Sequence, residues 1–138
     1  MSRIYSPDSA GKDRTRLTKT IVLALRELMK QSEPTSLTRD LAACVVLSLE
    51  EIASNIDGSV AAWEKRGYWV KADHFRLEWE WAGNSARKLR EALLKEDWGI
   101  AAVTAAQVAQ KLNKITVAER HHLGTPWVGA YETLIKGG

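Results

Sequence analysis

The 138-residue chain has few of the features of disulfide-rich or membrane-spanning proteins. Its single cysteine, Cys44, cannot form an internal disulfide, so we expect a reducing, cytoplasmic setting. The longest mostly apolar run, residues 41–49, is about half the length needed to cross a bilayer. The sequence therefore predicts no membrane span and no membrane partner. The opening residues do not combine basic, apolar and small-residue cleavage regions, so no secretory signal is predicted.

Proline is also scarce, with three residues at positions 7, 34 and 126, none of them inside residues 35–125. Within this stretch apolar residues recur at helical spacing. Only residues 75–81 alternate between apolar and polar residues as a strand would, and there the steps of three and four from Phe75 to Leu93 favour a helix. Hydrophobic residues make up 45% of the chain, close to the globular average, which excludes wholesale disorder. The sequence predicts a single all-α domain, an antiparallel bundle of four or five helices.

The predicted organisation has three parts. Residues 1–11 lack periodicity and are interpreted as a flexible or partner-ordered arm, residues 12–115 as the bundle, and residues 116–138 as a tail with one short helix. The predicted helices begin near 12 or 14, 37, 71, 100 and 127, and end near 31, 65, 96, 115 and 136. Gly58 and Gly67 are the two possible breaks between the second and third helices. A glycine costs only about 1 kcal/mol inside a helix, so the helix could also continue through either of them.

Basic residues are unevenly placed on the first helix. Five of them fall within an arc of about 80° opposite its apolar face, at 100° per residue. We call them the basic stripe: Lys12, Arg16, Lys19, Arg26 and Lys30. The stripe is about 27 Å long and could follow a nucleic-acid backbone without reading bases. The alternative is an ordinary solvated helix face, because Lys and Arg are mostly exposed in any protein and Glu27 lies near the edge of the stripe.

A second cluster mixes aromatic and basic residues between the second and third helices. Its cations, Lys65, Arg66 and Lys71, are candidate phosphate contacts, and its rings, Trp63, Tyr68 and Trp69, are candidate partner contacts. Such a mixture suits stacking on a single strand. It equally suits a contact with another subunit, where Trp, Tyr and Arg dominate binding energy. Filling of the core is the third interpretation.

The chain has six tryptophans, and two of those outside this cluster, Trp81 and Trp127, are also candidate partner contacts. Trp79 and Trp81 lie about 200° apart on a helix, so the pattern predicts that they do not share a face. Trp79 is assigned to the core seam with Phe75, and Trp81 is expected to point to another helix or another chain. Trp127, in the tail, is a further candidate partner contact.

Catalytic and metal-binding signatures are missing from the sequence. It contains no P-loop, no dinucleotide glycine fingerprint and no serine nucleophile elbow. Cys44 lies in the apolar run, which favours an inert thiol. Glu119 and His122 have the spacing of a di-iron ligand pair, but a second such pair is lacking. We therefore predict a protein that is not an enzyme, with no catalytic residues, no metal and no cofactor.

Two segments carry a resemblance to known proteins. Residues 37–45 (LTRDLAACV) and 52–56 (IASNI), followed by FRL at 75–77 and Ala82-Gly83, resemble the rRNA intervening-sequence-encoded proteins. They are similar in the same way to the accessory variability proteins of diversity-generating retroelements. The resemblance implies an up-down four-helix bundle that assembles as a ring and offers a basic surface to nucleic acid.

In size, helical character and basic faces the chain is also similar to the small subunits of CRISPR effector complexes, which contact a nucleic-acid backbone without catalysis. Together these observations predict a non-catalytic subunit of a nucleoprotein assembly. The basic stripe would contact RNA or single-stranded DNA, and the tryptophan-rich surfaces would contact neighbouring subunits. A protein-only oligomeric adaptor is the alternative.

Overall fold

The computed structural model describes residues 7–137, with side chains for residues 9–137. Over that range the chain forms five α-helices and no strand, which confirms the predicted all-α fold. The helices are α1 (Pro7–Leu28), α2 (Ser36–Lys65), α3 (Trp69–Leu94), α4 (Trp98–Lys111) and α5 (Ala130–Gly137).

The first helix starts and ends earlier than predicted. It begins at Pro7, so residues 7–11 are helical and the predicted boundary of the arm is wrong. The rest of the predicted arm, 1–6, lies outside the described residues. Proline is favoured in the first turn of a helix because its φ suits the helix and its missing N–H needs no partner there. At the other end α1 stops at Leu28, so Met29, predicted on the apolar face, is 81% exposed.

The second helix is the centre of the fold, as predicted. Thr35 caps it, because the Thr35 hydroxyl accepts from the Thr38 backbone N–H while the Thr38 hydroxyl accepts from the Thr35 N–H. Apolar side chains around most of its circumference are buried because α1, α3 and α5 all pack against it. Leu41, Leu49 and Ile52 are fully shielded from solvent.

The turn between α2 and α3 is a glycine-terminated helix end. α2 runs through Gly58 and ends at Lys65, as predicted. Gly67 adopts a φ of +84° and donates its N–H to the Glu64 carbonyl at 3.0 Å, while Tyr68 donates to the Trp63 carbonyl at 2.9 Å. This pair of hydrogen bonds is the Schellman arrangement that stops a helix. α3 begins at Trp69, two residues before the predicted start.

The fourth helix is displaced toward the N-terminus relative to the prediction. The Asp97 carboxylate accepts from the Ile100 N–H at 3.1 Å and so caps α4, while the Asp97 N–H donates to the Ala92 carbonyl at 2.8 Å and closes α3, as predicted. α4 consequently starts at Trp98 and ends at Lys111, four residues before the predicted end at 115.

The segment after α4 crosses α1. α4 packs mainly against α3, whereas α5 packs against α2, so residues 113–129 pass over α1 on the way from one to the other. The Arg26 guanidinium marks the crossing, since it donates to the Val117 carbonyl at 3.4 Å. The tail is therefore part of the bundle and covers one of its helices.

A carboxylate of α2 caps the last helix. The Asp40 side chain accepts from the backbone N–H groups of Gly129, at 3.3 Å, and Tyr131, at 2.9 Å. α5 starts between these residues, at Ala130, three residues after the predicted start. Ala130 and Leu134 are buried, which joins α5 to the core.

Candidate nucleic-acid interface

All five cations of the basic stripe are exposed, but they differ in their partners. Lys12, Arg16 and Lys19 form no ion pair with any described side chain. We call these three residues the free triad. Lys30 Nζ lies 3.1 Å from the Glu27 carboxylate, and Arg26 is engaged by the Val117 carbonyl. Three of the five predicted phosphate contacts are therefore available without first breaking a contact within the chain.

The stripe is interrupted at Leu23. This side chain lies inside the predicted cationic arc, between Lys19 and Arg26, yet it is only 5% exposed. Leu23 is not part of the main core cluster, and the segment after α4 reaches the next turn of α1, where the Val117 carbonyl accepts from Arg26. We infer that this segment shields Leu23. The predicted edge of 27 Å is therefore wrong as a continuous surface, and its open part is the free triad.

A shallow groove opens beside the free triad. It is lined by Lys12, Thr15 and Thr18 from α1, by Trp79 from α3 and by Ile115 from the segment after α4. The aromatic floor and the cationic rim lie on the same side of the molecule, because Lys12 belongs to both the groove and the triad. The groove thus places an indole next to unpaired positive charge.

Arg14 is the residue of this region that the sequence analysis missed. Its guanidinium lies 4.9 Å from the centroid of the Phe75 ring and 6.0 Å from that of Trp79. Its Nη1 donates to the Asn55 side-chain carbonyl at 2.7 Å, and the Asn55 amide donates to the Ala10 carbonyl at 2.9 Å. Arg14 therefore joins α1 to both α2 and α3. The sequence did contain a signal for Arg14. It lies about 200° from Lys12 around the helix, so Arg14 is a cation on the side of α1 that faces the bundle.

The prediction that Trp79 and Trp81 diverge is wrong. Their ring centroids are 5.9 Å apart and the ring planes meet at 26°, a stacked pair. The Cβ atoms of residues two apart do point away from each other, but an indole is long enough for its side-chain torsions to bring the two rings together. Both rings are half-buried against the core, so Trp81 is not a free partner surface.

Two more of the predicted partner contacts are also used inside the chain. Trp63 packs edge-to-face on Phe75, with ring centroids 4.8 Å apart, and Lys71 Nζ lies 4.6 Å from the Trp63 centroid. Trp127 is half-buried against the core. Tyr68 and Trp69 differ from these, since they are 57% and 61% exposed. Of the five predicted partner contacts, Tyr68 and Trp69 are therefore the two whose rings are mostly exposed.

The turn at residues 65–71, which we call the tip, carries net positive charge. Lys65 and Arg66 are exposed and have no ion-pair partner among the described side chains. The two nearby carboxylates, Glu64 and Asp73, both contact the Arg76 guanidinium, the former at 3.7 Å. Arg76 offsets one of these two negative charges, and residues 64–76 as a whole hold four Lys or Arg against two acids, so the net charge of the region is +2.

Groups with reactive or metal-binding chemistry are unremarkable in this structure. Burial raises the pKa of the Cys44 thiol to about 11, so the thiolate is hardly populated at neutral pH. His121 Nδ1 accepts from the Leu123 N–H at 3.2 Å. Among residues 9–137, no three His, Cys, Asp or Glu side chains are grouped closely enough to hold a metal ion.

None of the helices in residues 7–137 is both long and apolar enough to span a bilayer. No protein-family model matches the chain, and no curated protein or solved structure is significantly similar to it. Its function therefore has to be inferred from the geometry of the described residues.

Proposed function

We propose that this protein binds RNA or single-stranded DNA through its backbone, without sequence specificity and without catalysis, as a subunit of a cytoplasmic nucleoprotein assembly. The observation that carries the proposal is the free triad. Lys12, Arg16 and Lys19 are exposed and unpaired among the described side chains, and Lys12 also lines the groove to which Trp79 contributes. An anionic polymer can contact these three cations without any rearrangement of the chain.

The spacing of the free triad suits consecutive phosphates. Lys12 and Arg16 are separated by about 6 Å along the helix axis, and Arg16 and Lys19 by about 4.5 Å, at 1.5 Å per residue. Phosphates repeat on a comparable scale along a strand, and long cationic side chains absorb the difference. Contacts of this kind position a strand but carry no sequence information.

Salt dependence tests the proposal directly. Three phosphate contacts on a single strand predict that log K falls with log salt concentration with a slope of about −2. Fluorescence anisotropy with a labelled 20-nucleotide oligo(dT) or oligo(U), between 50 and 300 mM NaCl, measures that slope. Binding that is absent at the lowest salt concentration, or that does not change with salt, would refute the proposal.

A charge-matched pair of variants makes the test specific. K12Q/K19Q removes two cations of the free triad and should weaken binding by roughly 25-fold at 0.1 M salt, with a slope near −0.7. K95Q/K136Q removes the same net charge from lysines that are already paired with Glu91 and Glu132. The control variant should keep the slope of the wild type, and equal losses in both variants would indicate a non-local charge effect.

A protein-only adaptor is the second candidate, and the outer side of α4 favours it. The helix carries no charged residue from 98 to 110, and Ile100 and Val103 are 54% and 59% exposed. An uncharged apolar helix face is typical of a protein contact. Association through it should be almost independent of salt and should be weakened by I100S/V103S, as measured by analytical ultracentrifugation. The resemblance to ring-forming intervening-sequence and retroelement accessory proteins stays a prediction.

A further inference from the structure

The tip carries the two aromatic side chains that are mostly exposed in the described part of the chain. Tyr68 and Trp69 are 57% and 61% exposed, and Val70 beside them is 71% exposed. The other tryptophans are half-buried against the core. The Schellman hydrogen bonds of Gly67 and Tyr68 hold this turn, so the Trp69 ring is presented from a fixed backbone. An exposed ring on a rigid turn is a surface on which another flat ring can stack.

The charge around these rings fits a polyanion. Lys65 and Arg66 precede them with no acidic partner among the described side chains, and Lys71 follows above the Trp63 ring. The two nearby carboxylates, Glu64 and Asp73, both contact Arg76, and residues 64–76 keep a net charge of +2 that attracts a phosphate. Aromatic faces between unpaired cations are the combination that binds single strands independently of sequence.

The register between α1 and α3 gives the separation of the tip and the free triad along the helix axes. Arg14 contacts Phe75, so residue 14 of α1 is level with residue 75 of α3. Because α1 and α3 each run antiparallel to α2, they run in the same direction, and going from Lys19 to Lys12 leads toward the tip. By this register Lys19 is level with residue 80, about 17 Å along the axis from Trp69. About five stacked nucleotides, at 3.4 Å each, cover that distance.

We propose that the tip is a base-stacking site in which Trp69 receives a base of the same strand whose phosphates contact the free triad. The inference rests on the proposed function and adds a second, chemically different contact to it. The free triad holds phosphate and is indifferent to bases, whereas Trp69 requires a base and is indifferent to which one. Every base has a π-face, so stacking leaves the binding independent of sequence.

A strand that lacks bases distinguishes the stacking contact at Trp69 from the phosphate contacts of the free triad. The probes are a 12-nucleotide oligo(dT) and a 12-nucleotide abasic strand with the same phosphates, titrated by anisotropy at 100 mM NaCl. The wild type should bind oligo(dT) at least about 5-fold more tightly, the lower end of what one stacked base contributes. W69A should bind the two strands equally, and W69F should keep most of the preference. M29A, which truncates another highly exposed side chain, is the matched control and should behave as the wild type.

The outcomes of this experiment are distinct. Equal, salt-sensitive binding of both strands by the wild type overturns the stacking site and leaves the proposed function standing. Absence of salt-sensitive binding to either strand overturns both. If W69A leaves oligonucleotide binding unchanged but abolishes sedimentation with phosphatidylglycerol vesicles, the tip binds a lipid surface and the proposal is overturned. Thermal unfolding of W69A should match the wild type, since the ring is mostly in solvent.

Discussion

The two halves of α1 carry cations at similar spacing, yet their surroundings differ. In the first half Lys12, Arg16 and Lys19 face solvent without partners among the described side chains. In the second half Arg26 is held by the Val117 carbonyl, and Leu23 is buried between the cations. The difference arises because the segment after α4 contacts the second half at Arg26, whereas in the first half its Ile115 lies beside the groove and leaves the three cations exposed. The same local pattern is thus an open cationic surface in one place and a packing surface in the other.

The largest expected effect concerns the buried side chain of the second half. L23A should lower the free energy of unfolding by about 2–3 kcal/mol, because it removes a buried leucine beneath a connection that can partly collapse onto the cavity. Urea denaturation monitored by circular dichroism measures the change. M29A, one turn and a half further along, truncates an exposed side chain and should stay within about 0.5 kcal/mol of the wild type. Similar values for both variants would mean that the connection does not cover α1.

Charge removal from the second half should have a smaller effect. R26Q/K30Q changes the net charge by the same amount as K12Q/K19Q, but both of its cations already have partners within the chain. We expect a loss of no more than about 2-fold in oligonucleotide affinity and an unchanged salt slope, compared with roughly 25-fold for K12Q/K19Q. A loss of affinity as large as that of K12Q/K19Q would indicate that the strand contacts the whole basic stripe.

Two arginines separated by one residue sharpen the comparison within the first half. Arg14 faces the bundle and donates to Asn55, whereas Arg16 faces solvent. R14L should lower the free energy of unfolding by about 1–2 kcal/mol, since it strands a half-buried amide oxygen and removes the contact with Phe75. R16Q should leave stability within about 0.5 kcal/mol and reduce the salt slope by about 0.7. The opposite pattern would contradict the assignment of the two side chains.

Much of the fold followed from the sequence because its causes are local. The helical spacing of the apolar residues predicted an all-α bundle, and the end of α2 at Lys65 matches the structure because Gly67 supplies the left-handed residue that the turn needs. Boundaries near capping residues were displaced, since Asp97 could be assigned either to the end of α3 or to the start of α4. In the structure Asp97 does both, since its carboxylate accepts from the Ile100 N–H at the start of α4 and its own N–H donates to the Ala92 carbonyl at the end of α3.

The candidate site was only partly predictable. The free triad and the exposed rings of the tip were among the residues chosen from the sequence. Arg14 and the stacking of Trp79 on Trp81 were not, because both depend on which side chains other helices bring nearby. Helical-wheel angles describe where Cβ atoms point, whereas a long ring or guanidinium can reach a partner well away from that direction.

The order of apolar, basic and helix-capping residues by itself determined that this chain forms helices and that one edge of the first helix is cationic. Those properties depend on backbone hydrogen bonds and on neighbours within a turn or two. Only the tertiary structure decided which cations stay free and which rings stay exposed. Both outcomes depend on where the chain after α4 returns across α1 and on which partners fill the space between helices, and these are contacts between residues far apart in the sequence.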